Sequence, residues 1–221
     1  MRALTQTNVM VRALCAALLT TLACYPRVER WSHRTNSMGY LSVLMVWSAF
    51  VLWAFVLAWH AKYTGRQPLV PPKNSRLWAA ATAYGLGMGL IFHFLLDPQM
   101  RLTTPQDYPA TLRAWVEMML FSLSLEPLFL CFAPFAFCLR LLRQEQRALL
   151  GTVIFAVFVF YLKLSSSKTI PPWPFLGELV VVRVVAGFIG TFLYCRGGAW
   201  MVWWPVLIAQ SRHLIDLHPA N

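Results

Sequence analysis

A chain of 221 residues that is 58% hydrophobic and only 12% charged is not an ordinary soluble domain, because soluble chains carry about 25% charged residues. The formal net charge of +11 invites a nucleic-acid reading. The basic residues, however, sit in turns between apolar runs, and no basic patch interleaved with base-stacking aromatics lies outside them, so nucleic acid is excluded as a partner.

The reading that remains is an all-α, polytopic transmembrane helical bundle of about six spans, with the lipid bilayer as its first partner and a multi-pass membrane location, in a bacterial inner membrane. Ten tryptophans and fifteen phenylalanines suit such a chain, since aromatic rings collect at membrane interfaces. The five cysteines form no CxxC pair and read as buried thiols.

Residues 1–38 form an N-terminal peripheral or signal-like segment. Arg2 and Arg12 precede a short apolar stretch over 13–23, which fits a secretory signal, a short extra span or an interfacial helix. Translation starting at Met38 is a fourth reading. Residues 39–113 form a two-span scaffold. The first span, 39–61, carries Trp47, Trp53 and Trp59; a loop with Gly65, Pro68, Pro71 and Pro72 ends it. The second span, 77–96, carries Gly85, Gly87 and Gly89, which include a GxxxG pair and predict a face that another helix approaches closely. His93 reads as an interhelical residue, and Asp97-Pro98 closes the span.

Residues 114–217 form a four-span core. Its first span, 114–139, carries Glu117, four residues after Arg113 and so placed for a helix-end ion pair. Glu126 lies near the middle of the run, with Pro127 beside it predicting an interrupted helix. A basic turn with Arg140, Arg143 and Arg147 leads to a span over 148–164 that ends at Lys163. The span over 175–195 holds Glu178 and Arg183, which are offset by about 140° on a helix and so are directed at other helices rather than at each other. Arg196-Gly197-Gly198 is a tight turn, and the last span, 199–217, ends in Arg212, His213 and Asp216. There Arg212 and Asp216 are spaced i, i+4 and His213 and Asp216 i, i+3, so all three are expected to interact, with Asp216 holding one His213 tautomer. Assigning basic residues to sides leaves eight against eight, with Arg2 and Arg12 over, so the positive-inside rule does not fix the orientation.

Charges within a span are expensive, so Glu126, Glu178, Arg183, His213 and Asp216 are the candidate catalytic or functional residues. Their surroundings carry a family pattern. Ser124-Leu125-Glu126-Pro127-Leu128-Phe129 is followed by the basic turn and a span of matching length. Gly187-Phe188-Ile189-Gly190-Thr191-Phe192-Leu193-Tyr194-Cys195-Arg196-Gly197-Gly198-Ala199-Trp200 then leads into the last helix. Over roughly ninety residues this layout resembles the CPBP intramembrane metalloproteases, the CAAX-protease and bacteriocin-processing group. That family has a Glu-Glu-x-x-x-Arg span, a span ending Phe-x-x-x-His, a Leu-Tyr-x-Arg-x-Gly turn and a final His-x-x-x-Asn helix. The resemblance implies Glu126 as the group that activates a zinc-bound water. The chain departs from the pattern elsewhere: Pro127 stands at the second Glu and Cys131 at the Arg, no histidine lies within 158–163, and the last motif falls on 206–210 without one. A zinc site of three protein ligands is hard to assemble from His213 and His93.

Three functions follow. The first is a degenerate CPBP-like membrane protein, its protease chemistry altered or lost, that binds a membrane-protein or hydrophobic-peptide partner or a hydrophobic ligand. The second is an active intramembrane peptidase with Glu126 as base and His213, Asp216 and Glu178 replacing the usual ligands; zinc as cofactor belongs to this reading alone. The third is a small transporter or assembly factor with an ion or proton path through Glu126, Glu178, Arg183 and Asp216.

Overall fold

The computed structural model describes residues 6–35, 37–103, 108–165 and 173–217, apart from the side chains of 31–35, 103, 164 and 216. These residues form a helical bundle without strands. In chain order the helices are α1 (Thr7–Thr35), α2 (Met38–Thr64), α3 (Ser75–Leu102), α4 (Leu112–Leu142), α5 (Glu145–Ser165), α6 (Trp173–Gly197) and α7 (Trp200–Gln210). A 3-10 turn over Ser211–Asp216 continues α7. Among the described residues, α1 to α6 are long and apolar enough to cross a membrane, which makes this an integral membrane protein in contact with lipid.

The six are not the six expected from sequence. The segment 1–38, read as peripheral or signal-like, supplies α1, whose small-residue stripe Ala13, Ala17, Thr20, Cys24 and Val28 is buried in the bundle. Stripe residues three and four apart share one helix face, and their small size lets α2 come close. The Trp53 indole donates to the Thr20 hydroxyl at 2.9 Å inside that contact. At the helix end Arg30 pairs with the buried Glu117 of α4, which also takes Arg113 at 3.2 Å. The sequence pairing of Arg113 with Glu117 is therefore only half of the cluster.

The last element, expected as a full span, is an eleven-residue α-helix followed by the 3-10 turn. Together these cover about 28 Å along the axis, close to the bilayer's hydrocarbon thickness. α7 lies along α3: at Gly85 an added Cβ would stand 2.8 Å from Pro205 Cα and 2.9 Å from its carbonyl oxygen. This is the close approach that the GxxxG spacing predicts, and its partner is α7.

Aromatic rings fill the centre. Phe132 of α4 stacks on Tyr194 of α6 at 4.6 Å, with Trp203 of α7 edge-on to Phe132 and His60 of α2 against Tyr194 at 4.7 Å. Three helices contain one π-helical turn each: Val56–His60, Phe92–Leu96 and Leu128–Phe132. The last follows from Pro127, which has no N–H to give the preceding turn. The backbone resumes with wider bonds, Ala133 N–H donating to the Leu128 carbonyl five residues back.

The 65–72 loop is more than a linker. Gly198 has φ +73, a left-handed value suited to glycine, and a Cβ there would lie 2.5 Å from the Pro68 oxygen. The next N–H, Ala199, donates to that oxygen at 2.8 Å, and the Trp200 indole donates to the Leu69 carbonyl at 3.0 Å. Arg66 closes the clamp by donating to the Cys195 carbonyl at 2.8 Å, at the negative end of the α6 dipole. The turn between α6 and α7 is thus seated on the loop between α2 and α3.

Candidate functional site

A pocket of about 320 Å³ lies between α3, α4, α6 and α7, with Ala156 of α5 at one edge. It exists because the facing residues are small: Ala186, Gly187 and Gly190 on α6 and Ala209 on α7 leave the space that larger side chains would fill. Its apolar wall includes Met88 and Phe92 of α3, Leu130 of α4, and Val202 and Val206 of α7. Pro127 sits at the start of the π-helical turn, on the pocket wall.

Three charged residues border the pocket: Glu126, Arg183 and Arg212. Glu126 lies near the centre of α4, and its carboxylate is 3.8 Å from the Arg183 guanidinium of α6. The two side chains are 37% and 38% exposed, so the pair stands where the pocket meets the surface of the bundle. Arg183 also lies over the Phe160 ring at 5.5 Å, a cation–π contact that helps to hold it there. Polar neighbours continue around the wall. Gln210 donates to Ser122 at 3.3 Å, the Cys131 thiol is 3.7 Å from the Thr191 hydroxyl, and the Tyr84 hydroxyl donates to the Ala186 carbonyl at 3.1 Å.

The other candidates are not gathered here. Glu178 is exposed near the start of α6 and does not line the pocket. His213 is buried, but with its ring edge-on to Tyr108 at 5.4 Å. Residues 211–216 form a 3-10 turn, in which the α-helical i, i+4 register is lost. Arg212 grips Asp97 of α3 through two bonds, 2.9 and 3.3 Å. The side chain of Asp216 lies outside the described residues.

Asp97 is a functional-looking group that the sequence marks only as a span terminator. Its side chain is 3% exposed and Arg212 11%, and the Tyr108 hydroxyl donates to Asp97 at 2.8 Å. Burial, then the hydrogen bond and negative charge of Asp97, push the Tyr108 phenol well above its ordinary value. Its signal in sequence is a carboxylate at the end of an apolar run; its partner is 115 positions away and leaves no local trace.

His60 is likewise silent in the sequence. It is fully buried, and neither ring nitrogen has a hydrogen-bond partner; the Tyr194 hydroxyl and the Trp203 indole N–H nearby share that condition. A buried imidazole is expected to be satisfied, so these atoms form a polar island in an aromatic core. Farther along, Arg66 lies 3.5 Å from Glu145, whose other oxygen is 3.1 Å from the Cys195 thiol.

A zinc hydrolase site needs three protein ligands around an open position. The pocket's donors are one carboxylate, one amide, a thiol and hydroxyls, with no imidazole. Among the described residues no group of three or more His, Cys, Asp or Glu side chains is placed to hold a metal ion. The arrangement does not fit zinc. Chemically it offers a polar head site, formed by Glu126, Arg183 and Gln210, beside an apolar slot. No family model matches the chain, and no curated protein or solved structure matches it.

Proposed function

We propose that this protein is a CPBP-like integral membrane protein without the family's protease chemistry, and that it holds an amphiphilic ligand in the pocket beside Glu126 and Arg183. The observation that carries the reading is the pocket itself, about 320 Å³, apolar along its walls and charged at its mouth. That volume is at the small end of ligand sites, which combine apolar walls with a few fixed polar groups. The polar head of the ligand meets the ion pair and Gln210, while its chain lies against Met88, Phe92, Leu130 and Val206. An ion pair in a span is costly to keep, and a ligand head that bonds both partners offsets part of that cost.

The CPBP resemblance adds support. The first and last motifs of that family fall on 126–131 and 206–210, and Glu126, Cys131, Val206 and Gln210 all border this one pocket. On this reading the place where the family works is a cavity here, without the donors that zinc needs.

The test uses the purified protein in mild detergent. Native mass spectrometry should show one co-purified amphiphile per chain, retained by wild type. Gly190 borders the pocket and a Cβ there meets nothing within 4 Å, so Gly190→Phe is the substitution chosen to take up pocket space. Loss of the bound mass in Gly190→Phe, and weakened retention in Arg183→Gln, are expected. Equal retention by wild type and Gly190→Phe would refute the site.

A further inference from the structure

The two ends of the bundle are charged differently, and the helix order says which residues share an end. One end carries the start of α1, the loop between α2 and α3, the turn between α4 and α5, and the turn between α6 and α7. Among the described residues it holds nine Lys and Arg against one acid, Glu145. Among the residues whose side chains are described, the opposite end holds six Lys and Arg against four acids: Glu29, Asp97, Glu117 and Glu178. The contact geometry sharpens the contrast. At the opposite end Arg30 and Arg113 are drawn onto Glu117, and Arg212 onto Asp97. At the basic end Arg66 alone has an acidic partner among the described residues. Lys62, Lys73, Arg76, Arg143, Arg147 and Arg196 are all exposed.

Part of this surface is built rather than scattered. The Tyr63 ring has the Lys62 ammonium 5.7 Å and the Arg143 guanidinium 5.1 Å from its centre. One cation from α2 and one from the turn after α4 thus share one ring. Arg143 occupies a left-handed backbone position, φ 57, with its Nε bonded to the Arg140 carbonyl, a conformation uncommon for a residue other than glycine. Two cations that share a ring, neither with an acidic partner among the described residues, favour an anion. The indoles of Trp78 and Trp200 donate to the Pro72 and Leu69 carbonyls at this same end, where aromatic rings mark the level of lipid headgroups.

We propose that this end docks the anionic phospholipid headgroups of the cytoplasmic leaflet, with a phosphate seated between Lys62 and Arg143 over Tyr63. An orientation goes with it, set by the net charge of the two ends rather than by their nearly even count of Lys and Arg in the sequence: the basic end faces the anionic cytoplasmic leaflet and the Asp97–Arg212 end faces away. Neither the docking nor the orientation depends on the Glu126 pocket. Each Lys or Arg near an anionic surface raises affinity by about fivefold.

The test reconstitutes the full chain in nanodiscs of phosphatidylcholine, alone or with phosphatidylglycerol at a ratio of about 7:3, the membrane-surface charge being the variable. Retained lipid is then counted by native mass spectrometry at low and high salt. Wild type is expected to retain phosphatidylglycerol selectively and salt-sensitively. Lys62→Gln with Arg143→Gln should lower that selectivity on the order of twentyfold, while Arg27→Gln with Lys163→Gln at the other end should not. No selectivity in wild type, or equal loss in both double variants, would overturn the docking surface. Topology is read separately from C-terminal fusions in a bacterial host: active alkaline phosphatase and dark green fluorescent protein are expected, and the reverse would overturn the orientation.

Discussion

Adding one methyl group at Gly85 should loosen α7 from α3. The new Cβ would lie 2.8 Å from Pro205 Cα, 2.9 Å from the Pro205 oxygen and 3.1 Å from Ile208 Cβ. Carbon atoms attract best at about 3.5–4.0 Å, and two of the three obstructing atoms are backbone that cannot rotate aside. α7 must therefore move by several tenths of an ångström. A gap of 0.5–1 Å forfeits about a quarter to a half of each dispersion contact, and overpacking costs about 1–3 kcal/mol. The gain in helix propensity from Gly to Ala, about 1 kcal/mol, works in the other direction. The net expectation for Gly85→Ala is a loss of about 0–2 kcal/mol, which places it about 1–3 kcal/mol below an alanine that meets no neighbour.

Two neighbours on the same helix serve as controls. A Cβ on Gly87 meets nothing within 4 Å, and one on Gly89 makes ordinary contact with Ala209 at 3.5 Å. Gly87→Ala and Gly89→Ala should hold stability or raise it by up to about 1 kcal/mol. The assay is reversible unfolding by sodium dodecyl sulfate in mixed micelles, followed by tryptophan fluorescence. The probe is local: the Trp204 indole donates to Thr82 at 2.8 Å and packs edge-on against Trp78 at the α3–α7 contact. If Gly85→Ala proved as stable as Gly87→Ala, the close approach of α7 to α3 would be wrong.

Three further outcomes follow from buried groups. Asp97→Asn leaves the Arg212 guanidinium without its anion and should cost about 3 kcal/mol, much of it recovered in the Asp97→Leu, Arg212→Met pair; a double-mutant cycle with no coupling would contradict the ion pair. His60→Leu removes two unpartnered nitrogens from an apolar site and should stabilise by about 1–2 kcal/mol, so a destabilised variant would mean that the imidazole is hydrogen-bonded in the membrane. For Tyr108, the folded phenol titrates above its ordinary 10.0, so its contribution is intact below pH 10 and declines as pH rises past that point. Tyr108→Phe should flatten the loss of stability above pH 10, and an unchanged alkaline limb would contradict the Asp97 contact.

The membrane-bundle class is legible in composition and apolar runs, because lipid permits few alternatives to a helix. Gly85 and Gly89 announce a close helix contact, and Gly197-Gly198 a turn, because each requirement falls on a local stretch of backbone. α1 escapes a sequence reading because its apolar run is short when counted residue by residue, while its buried stripe depends on which face α2 covers. The site is legible only as single residues. Glu126 and Arg183 stand out as charges within spans, but what pairs them is the packing of α4 on α6. For Arg212 the fold supplies Asp97, a carboxylate 115 positions away that no local pattern points to. His60 leaves no mark because an isolated histidine near a span end has no pattern around it.

The packing of α7 on α3 also sets an order of events during synthesis. Asp97 and Arg212 are 115 positions apart, so at a translation rate of about 5–20 residues per second α3 waits roughly 6–23 s for its partner. Through that interval the Gly85–Gly89 furrow is filled by lipid chains, and the pocket is a trough with one wall missing. The helix that arrives last must displace those chains, neutralise Asp97 and close the cavity in one step. A lipid caught at that moment would lie in the pocket without ever crossing the finished wall, which makes biogenesis itself a route of entry for the ligand proposed above.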